Sequence, residues 1–135
     1  MNSTQEYIEE LIFQYGHSDC HDLTIALSEL YETNIILFKT KKSGLPIHSA
    51  ILINNEQTLD AYGLSNIDKT LNRYQKITQE YYKEDLDFSI CDLDTVYIFN
   101  GEPVSDFDFI VEDFFTLLNF YNINIDHLLR KKILD

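Results

Sequence analysis

The sequence predicts an α+β fold in which helices pack around a small, mainly antiparallel sheet. Three observations predict it. Apolar residues recur at helical period near the N-terminus (Tyr7, Ile8, Leu11, Ile12, Tyr15). Short β-rich runs bounded by turn residues occupy 35–62, and a second amphipathic stretch fills 105–121. At 135 residues the chain is sized for one domain with a real core. The expectation is a single domain over 1–135. Its N-terminal helices lie on the sheet, further helices follow at the C-terminal end, and residues 80–135 form an acidic covering extension.

Each element has its own signal. Ser3-Thr-Gln-Glu6 has capping-box spacing, and Gly16 stands where a first helix would stop. After the polar loop His17-Ser-Asp, a second helix runs from about Cys20 to Glu32, with Leu23, Ala26, Leu27 and Leu30 inward. Asn34 ends it, and Ile35 to Lys39 reads as a buried strand. Lys41-Lys-Ser-Gly44 is a turn. Pro46 to Ile53 and Thr58 to Tyr62, joined by Asn54-Asn-Glu, read as a β-hairpin closed by Gly63. Ser65-Asn-Ile-Asp68 starts a third helix to about Lys76. Beyond it, 80–92 is acidic and ambiguous, Thr95 to Phe99 reads as a strand, and Asn100-Gly-Glu-Pro ends that strand. Ser105 caps a helix to about Tyr121, and Ile125 to Ile133 reads as a short terminal helix.

Composition narrows the function classes. With nine Tyr and nine Phe, disorder is not expected, and four Gly and two Pro leave no flexible linker. The start has no basic and apolar leader, and the apolar runs are too short to span a membrane. Two cysteines far apart predict reduced thiols in a cytoplasm, or an effector delivered without a classical signal peptide. The formal charge is −13, with 13 acids against 4 bases in residues 80–135. That reads against direct nucleic-acid binding, which needs clustered Lys and Arg, and leaves room for a basic protein partner. Its plainest use is solubility.

Three residues carry the chemistry. Cys20 sits at an expected helix start, where partial positive charge and free N–H groups favour a thiolate and, later, an oxyanion. His48 opens an apolar strand, and Asp60 lies across the hairpin from it. A thiol needs a base to lower its pKa, and the base needs a carboxylate to fix its tautomer. His48 and Asp60 share a sheet face only if the hairpin loop has an odd number of residues, as Asn54-Asn-Glu does. Cys91, between Ile90 and Asp92, reads as structural.

Cys20-His-Asp before an Ala- and Leu-bearing helix, then His48-Ser-Ala-Ile-Leu, then Leu59-Asp-Ala-Tyr-Gly63, resembles the papain-like superfamily. The likeness covers about residues 14–64 and is nearest to compact bacterial and phage-type branches. These include cysteine peptidases, amidases, deamidases and toxin domains. The resemblance implies Cys20 as nucleophile, His48 as general base and acid, and Asp60 as the orienting residue. It places Gln14 where an oxyanion-hole glutamine would stand, and with it Asp19 and His21, beside the nucleophile, as oxyanion or substrate-contacting residues. It implies a protein or peptide-like substrate, an amide or acyl bond, and no cofactor.

Two other readings compete. His17, Cys20 and His21, with His48 more distant, are metal-ligating types, but Cys20 and His21 are adjacent and point apart on a helix, so no metal is expected. The alternative function is a non-catalytic acidic interaction protein, such as an inhibitor, immunity or anti-defence protein, binding a basic or aromatic surface.

Overall fold

The computed structural model describes residues 3–100 and 106–132, without the side chains of 18 and 97–100. Helix α1 (Ser3–Phe13) runs into a wide π turn (Gln14–Ser18), and α2 (Cys20–Leu30) follows. The strands come next: β1 (Tyr31–Glu32), β2 (Asn34–Thr40), β3 (Pro46–Ile53), β4 (Gln57–Asp60) and β5 (Gly63–Asn66). Then come α3 (Ile67–Tyr82), β6 (Leu86–Cys91), α4 (Leu93–Asn100) and α5 (Phe107–Tyr121). A 3₁₀ turn (Ile125–His127) and β7 (Arg130–Lys131) complete the described chain.

The sheet has the order β5-β4-β3-β2-β6, and its paired neighbours are antiparallel. Its two faces are filled differently. Ile51, Ile53 and Leu59 pack with Leu11 of α1, Leu23 and Leu27 of α2, and Phe114 and Leu118 of α5. Ile36, Phe38, Ala50 and Leu52 face the other way, toward Tyr74 of α3. Successive side chains alternate sides along a strand, so these strands, buried on both faces, read as continuous apolar runs. The α+β architecture expected from the sequence is what forms, with helices on both sides of the sheet.

The hairpin of β3 and β4 sets up the site. Ile53 pairs with Gln57 and Ile51 with Leu59, which leaves Asn54, Asn55 and Glu56 as a three-residue loop. Both asparagines are left-handed, with φ of 53° and 60°, a conformation asparagine tolerates better than most residues. With this register Asp60 falls opposite Ala50, so Asp60 and His48 lie diagonally on one face, as the odd loop demands.

Several boundaries and element types differ from expectation, among them 63–66, which forms strand β5 before α3 starts at Ile67. The chain does not stop at Gly16: it stays coiled as a π turn, and the glycine serves close approach instead. A Cβ there would stand 2.8 Å from the Tyr62 ring, and the Gly16 carbonyl accepts a 2.7 Å bond from Tyr74. Helix α2 ends at Leu30, because Tyr31 and Glu32 turn extended to pair with Lys131 and Arg130. That pairing also replaces the expected terminal helix: only Ile125–His127 coils, capped by Asn124, and Ile133 lies outside the described residues. Helix α3 continues six residues past Lys76 to Tyr82, ending on left-handed Lys83.

The expected strand at Thr95–Phe99 is helix α4. Asp92 accepts from both the N–H and the hydroxyl of Thr95, a helix-start bond that the β-rich composition obscured, and Val96 then buries against Ile25 and Ile35. The acidic stretch before it supplies β6, hydrogen-bonded along β2. Ser105 and the turn at 101–103 lie outside the described residues. The position before α5 is left-handed Asp106, with no side-chain cap. Residues 80–135 are thus partly woven into the core, since β6 extends the sheet and α5 buries Ile110, Phe114, Leu117 and Leu118.

Candidate active site

Cys20 is the first residue of α2 and is 4 % exposed, on the wall of a cleft. The N-cap, Asp19, places no side-chain cap on the helix. Its carboxylate instead accepts a 2.9 Å bond from the Gln14 amide. The first-turn N–H groups of α2 are therefore not covered by that carboxylate, which preserves the positive end of the helix beside the thiol.

His48 and Asp60 meet as the register requires. His48 Nε2 donates to Asp60 Oδ2 at 2.8 Å, with both side chains buried. Asp60 Oδ1 accepts the backbone N–H of Tyr62 at 2.9 Å, so the carboxylate is fixed from both oxygens. The imidazole stacks on the Tyr74 ring at 3.9 Å, with Phe38 at 6.0 Å. Such a face-on ring favours an imidazolium. The remaining ring nitrogen, Nδ1, makes no hydrogen bond of normal geometry among the described residues. It is left for the thiol, whose contact with His48 is looser than a normal hydrogen bond, as is common before a substrate arrives.

His21 flanks the thiol from the other side. Its Nδ1 meets Ser49 Oγ at 2.7 Å, and Ser49 in turn donates to Thr24 at 3.1 Å. With the Ser49 hydrogen given to Thr24, Ser49 accepts from His21 Nδ1–H, which leaves Nε2 as the nitrogen for the hydrogen bond that His21 makes to Cys20.

These groups set the protonation states. Burial alone would push the Cys20 thiol up, but hydrogen bonding and charge from His21 and His48 outweigh it and bring it down to about 5. Burial alone would lower His48. The Asp60 bond and the Cys20 thiolate reverse this and raise it to about 9. Between those values the pair holds one proton, on the imidazole, and the sulfur is a thiolate. Cys91 is the opposite case, since burial and the Asp92 charge push its thiol up.

The structure thus brings Cys20, His48 and Asp60 together, with His21 beside them. It does not bring Gln14 to the cleft: Gln14 and Asp19 line a separate acidic cavity with Asp22, Asp106 and Asp113. An oxyanion or substrate role for Gln14 and Asp19 gains no support from that placement, whereas His21 lines the cleft with Cys20. No three His, Cys, Asp or Glu side chains among the described residues converge on a metal-sized site. Sequence reasoning missed Tyr74, Ser49 and Thr24. Each is an ordinary inward residue of a helix or strand, and only the packed structure shows that Tyr74 and Ser49 touch an imidazole and that Thr24 takes the Ser49 hydrogen. It also missed Arg73, whose guanidinium lies 4.0 Å over the Tyr62 ring. Comparison with models of protein families, with curated proteins and with solved structures finds no match for this chain.

Proposed function

We propose that this chain is a thiol enzyme acting on an amide or related acyl bond, with Cys20 as nucleophile, His48 as proton carrier and Asp60 as its orienting partner. One observation carries the reading. A buried imidazole is tied to a buried carboxylate through one nitrogen at 2.8 Å, and it interacts with a thiol at a helix start in the sense that lowers that thiol's pKa. Structural histidines seldom need a buried carboxylate and a depressed thiol at once.

The chemistry follows from those groups. The Cys20 thiolate attacks the carbonyl carbon, forming the C–S bond and moving the π electrons onto oxygen. The N–H groups of the first turn of α2 lie at the sulfur's end of the helix and are suited to that oxyanion. Collapse breaks the bond to the leaving nitrogen, which takes the proton from His48 Nδ1 and leaves a thioester. His48, now neutral, removes a proton from water or another acceptor as it attacks the thioester, and Cys20 departs as thiolate. Hydrolysis, deamidation and acyl transfer share these steps. The papain-like resemblance of residues 14–64 agrees with this assignment, and its bacterial or phage effector branches belong to the same proposal.

The test is alkylation of both cysteines with iodoacetamide from pH 5 to 9, read by peptide mass spectrometry. Cys20 is expected to react at pH 6 and Cys91 only toward alkaline pH. A Cys20 that reacts no faster than Cys91 at pH 6 overturns the proposal. A second reading, an acidic interaction protein, draws on exposed Phe109 and Phe120 of α5 and the charge of −13. It predicts that Cys20→Ser retains the protein's full biological effect.

A further inference from the structure

The cleft beside Cys20 has a volume of about 580 Å³, within the usual range for a small-ligand site. Its composition sets it apart on so acidic a chain. Among the described residues its lining includes no Asp, Glu, Lys or Arg, and apart from the Cys20 thiol itself only His17 and His21 are placed to take a charge near neutral pH. Three other cavities each carry full charges: Asp126 in one, four aspartates in another, and Lys69, Arg73 and Lys76 in the third. With 23 acids and 10 bases in 135 residues, an uncharged lining next to the nucleophile is a selective feature.

The cleft's apolar wall comes from two elements. Pro46 and Ile47 open β3, while Ile77, Tyr81 and Tyr82 come from the last two turns of α3. Tyr81 is 72 % exposed and Tyr82 46 %. Neither ring is used to build the core. The two elements are clipped together from outside. Glu84, just past α3, accepts from the backbone N–H groups of Lys42 and Ser43 and from the Ser43 hydroxyl, all in the turn that leads to Pro46. The tyrosine turn is therefore held against the start of β3 as a fixed wall.

We propose that this cleft selects an acyl group bearing an uncharged aromatic or long aliphatic side chain, seated against Ile47, Tyr81 and Tyr82. This rests on the thiol-enzyme reading of the same site. An aromatic group gains apolar burial and ring contacts there. Against Ile47, Tyr81 and Tyr82 a charged side chain would meet no carboxylate, ammonium or guanidinium to pair with, and an anionic one is further disfavoured by the field of the whole chain.

The experiment uses three N-acylated aminoacyl chloromethyl ketones, with phenylalanine, lysine and aspartate side chains, and iodoacetamide as a reference for intrinsic thiol reactivity. Each forms one Sγ–C bond at Cys20 as chloride leaves, counted by intact mass. Relative to iodoacetamide, the phenylalanine probe is expected to react at least about tenfold faster than the lysine probe, and the aspartate probe slowest of all. In Tyr81→Ala/Tyr82→Ala the ratio of the phenylalanine rate to the iodoacetamide rate should fall about tenfold. Ile47→Lys should turn the preference toward the aspartate probe. Equal relative rates for the three probes on a Cys20 that iodoacetamide alkylates readily would overturn the selectivity and leave the thiol reading standing. A Cys20 inert to iodoacetamide would remove both.

Discussion

The protonation of two side chains decides what the site does. Cys20 is lowered, so its reactive form is present above about pH 5; His48 is raised, so its proton persists to about pH 9. Alkylation of Cys20 should therefore rise through about pH 5 and be near its plateau by pH 7. Turnover of an acyl substrate should fall again above about pH 9, when His48 no longer has a proton for the leaving group. In His48→Ala burial of the thiol is opposed by His21 alone, and alkylation at pH 6 should slow by at least about tenfold. Unchanged alkylation at pH 6 would mean that His48 does not control the thiol. Gln14 enters at the same scale, through Asp19. Gln14→Ala frees that carboxylate to cap α2, which should raise the thiol pKa by about half a unit. Gln14→Ala/Asp19→Ala should restore it, an outcome that a merely structural role for Gln14 would not give. At this scale Cys20, His48 and Asp60 were legible because thiol, imidazole and carboxylate are rare, chemically distinct groups in that order. Tyr74 was not, because an aromatic on a helix looks the same whether it fills a core or stacks on an imidazole.

Among the elements, the π turn between α1 and α2 joins the site to the scaffold. Gly16 lies against Tyr62, which is itself held by Arg73 and within 3.3 Å of His17. A methyl at Gly16 has to displace that ring, so Gly16→Ala should cost about 2 kcal/mol. Urea unfolding should show this as a lower midpoint with an unchanged slope. A midpoint within error of the parent would show that Tyr62 gives way freely. Tyr15 ties the same turn to α5, donating to Asp113 at 2.6 Å from a buried position. Removing that hydroxyl in Tyr15→Phe should cost about 2 kcal/mol by the same measurement. Long periodic helices and the hairpin could be read from sequence because apolar spacing and turn chemistry agree there. Residues 93–100 could not, because Thr95 to Phe99 is rich in β-formers, while its helical state comes from the Asp92 cap and from Val96 burying against Ile25 and Ile35. Tertiary packing overrode local propensity.

For the molecule as a whole, the acidic charge is not uniform in its role. Asp108 and Glu112 are exposed on α5, whereas Asp113 accepts from both Tyr7 and Tyr15 of the N-terminal segment. Asp108→Lys/Glu112→Lys should leave stability within about 0.5 kcal/mol, while Asp113→Lys should lower it markedly. Equal effects of the two changes would show that the α1–α5 carboxylate contact contributes nothing. A sequence count gives each acid the same weight, and only the packing of α1 on α5 separates them. No helix among the described residues is long and apolar enough to cross a membrane.

The three-residue loop at Asn54–Glu56 has a genetic consequence. It begins about 20 Å along the strand from His48, taking about 3.3 Å per residue. Surface loops are ordinarily where a gene tolerates the loss or gain of a codon. Here an in-frame deletion of Asn55 would re-pair β3 with β4 one step out and send Asp60 to the face opposite His48. Exchange of Asn54 or Asn55 for Gly or Asp, which accept the left-handed backbone, should pass almost unnoticed, while a single missing codon should silence the site from a distance.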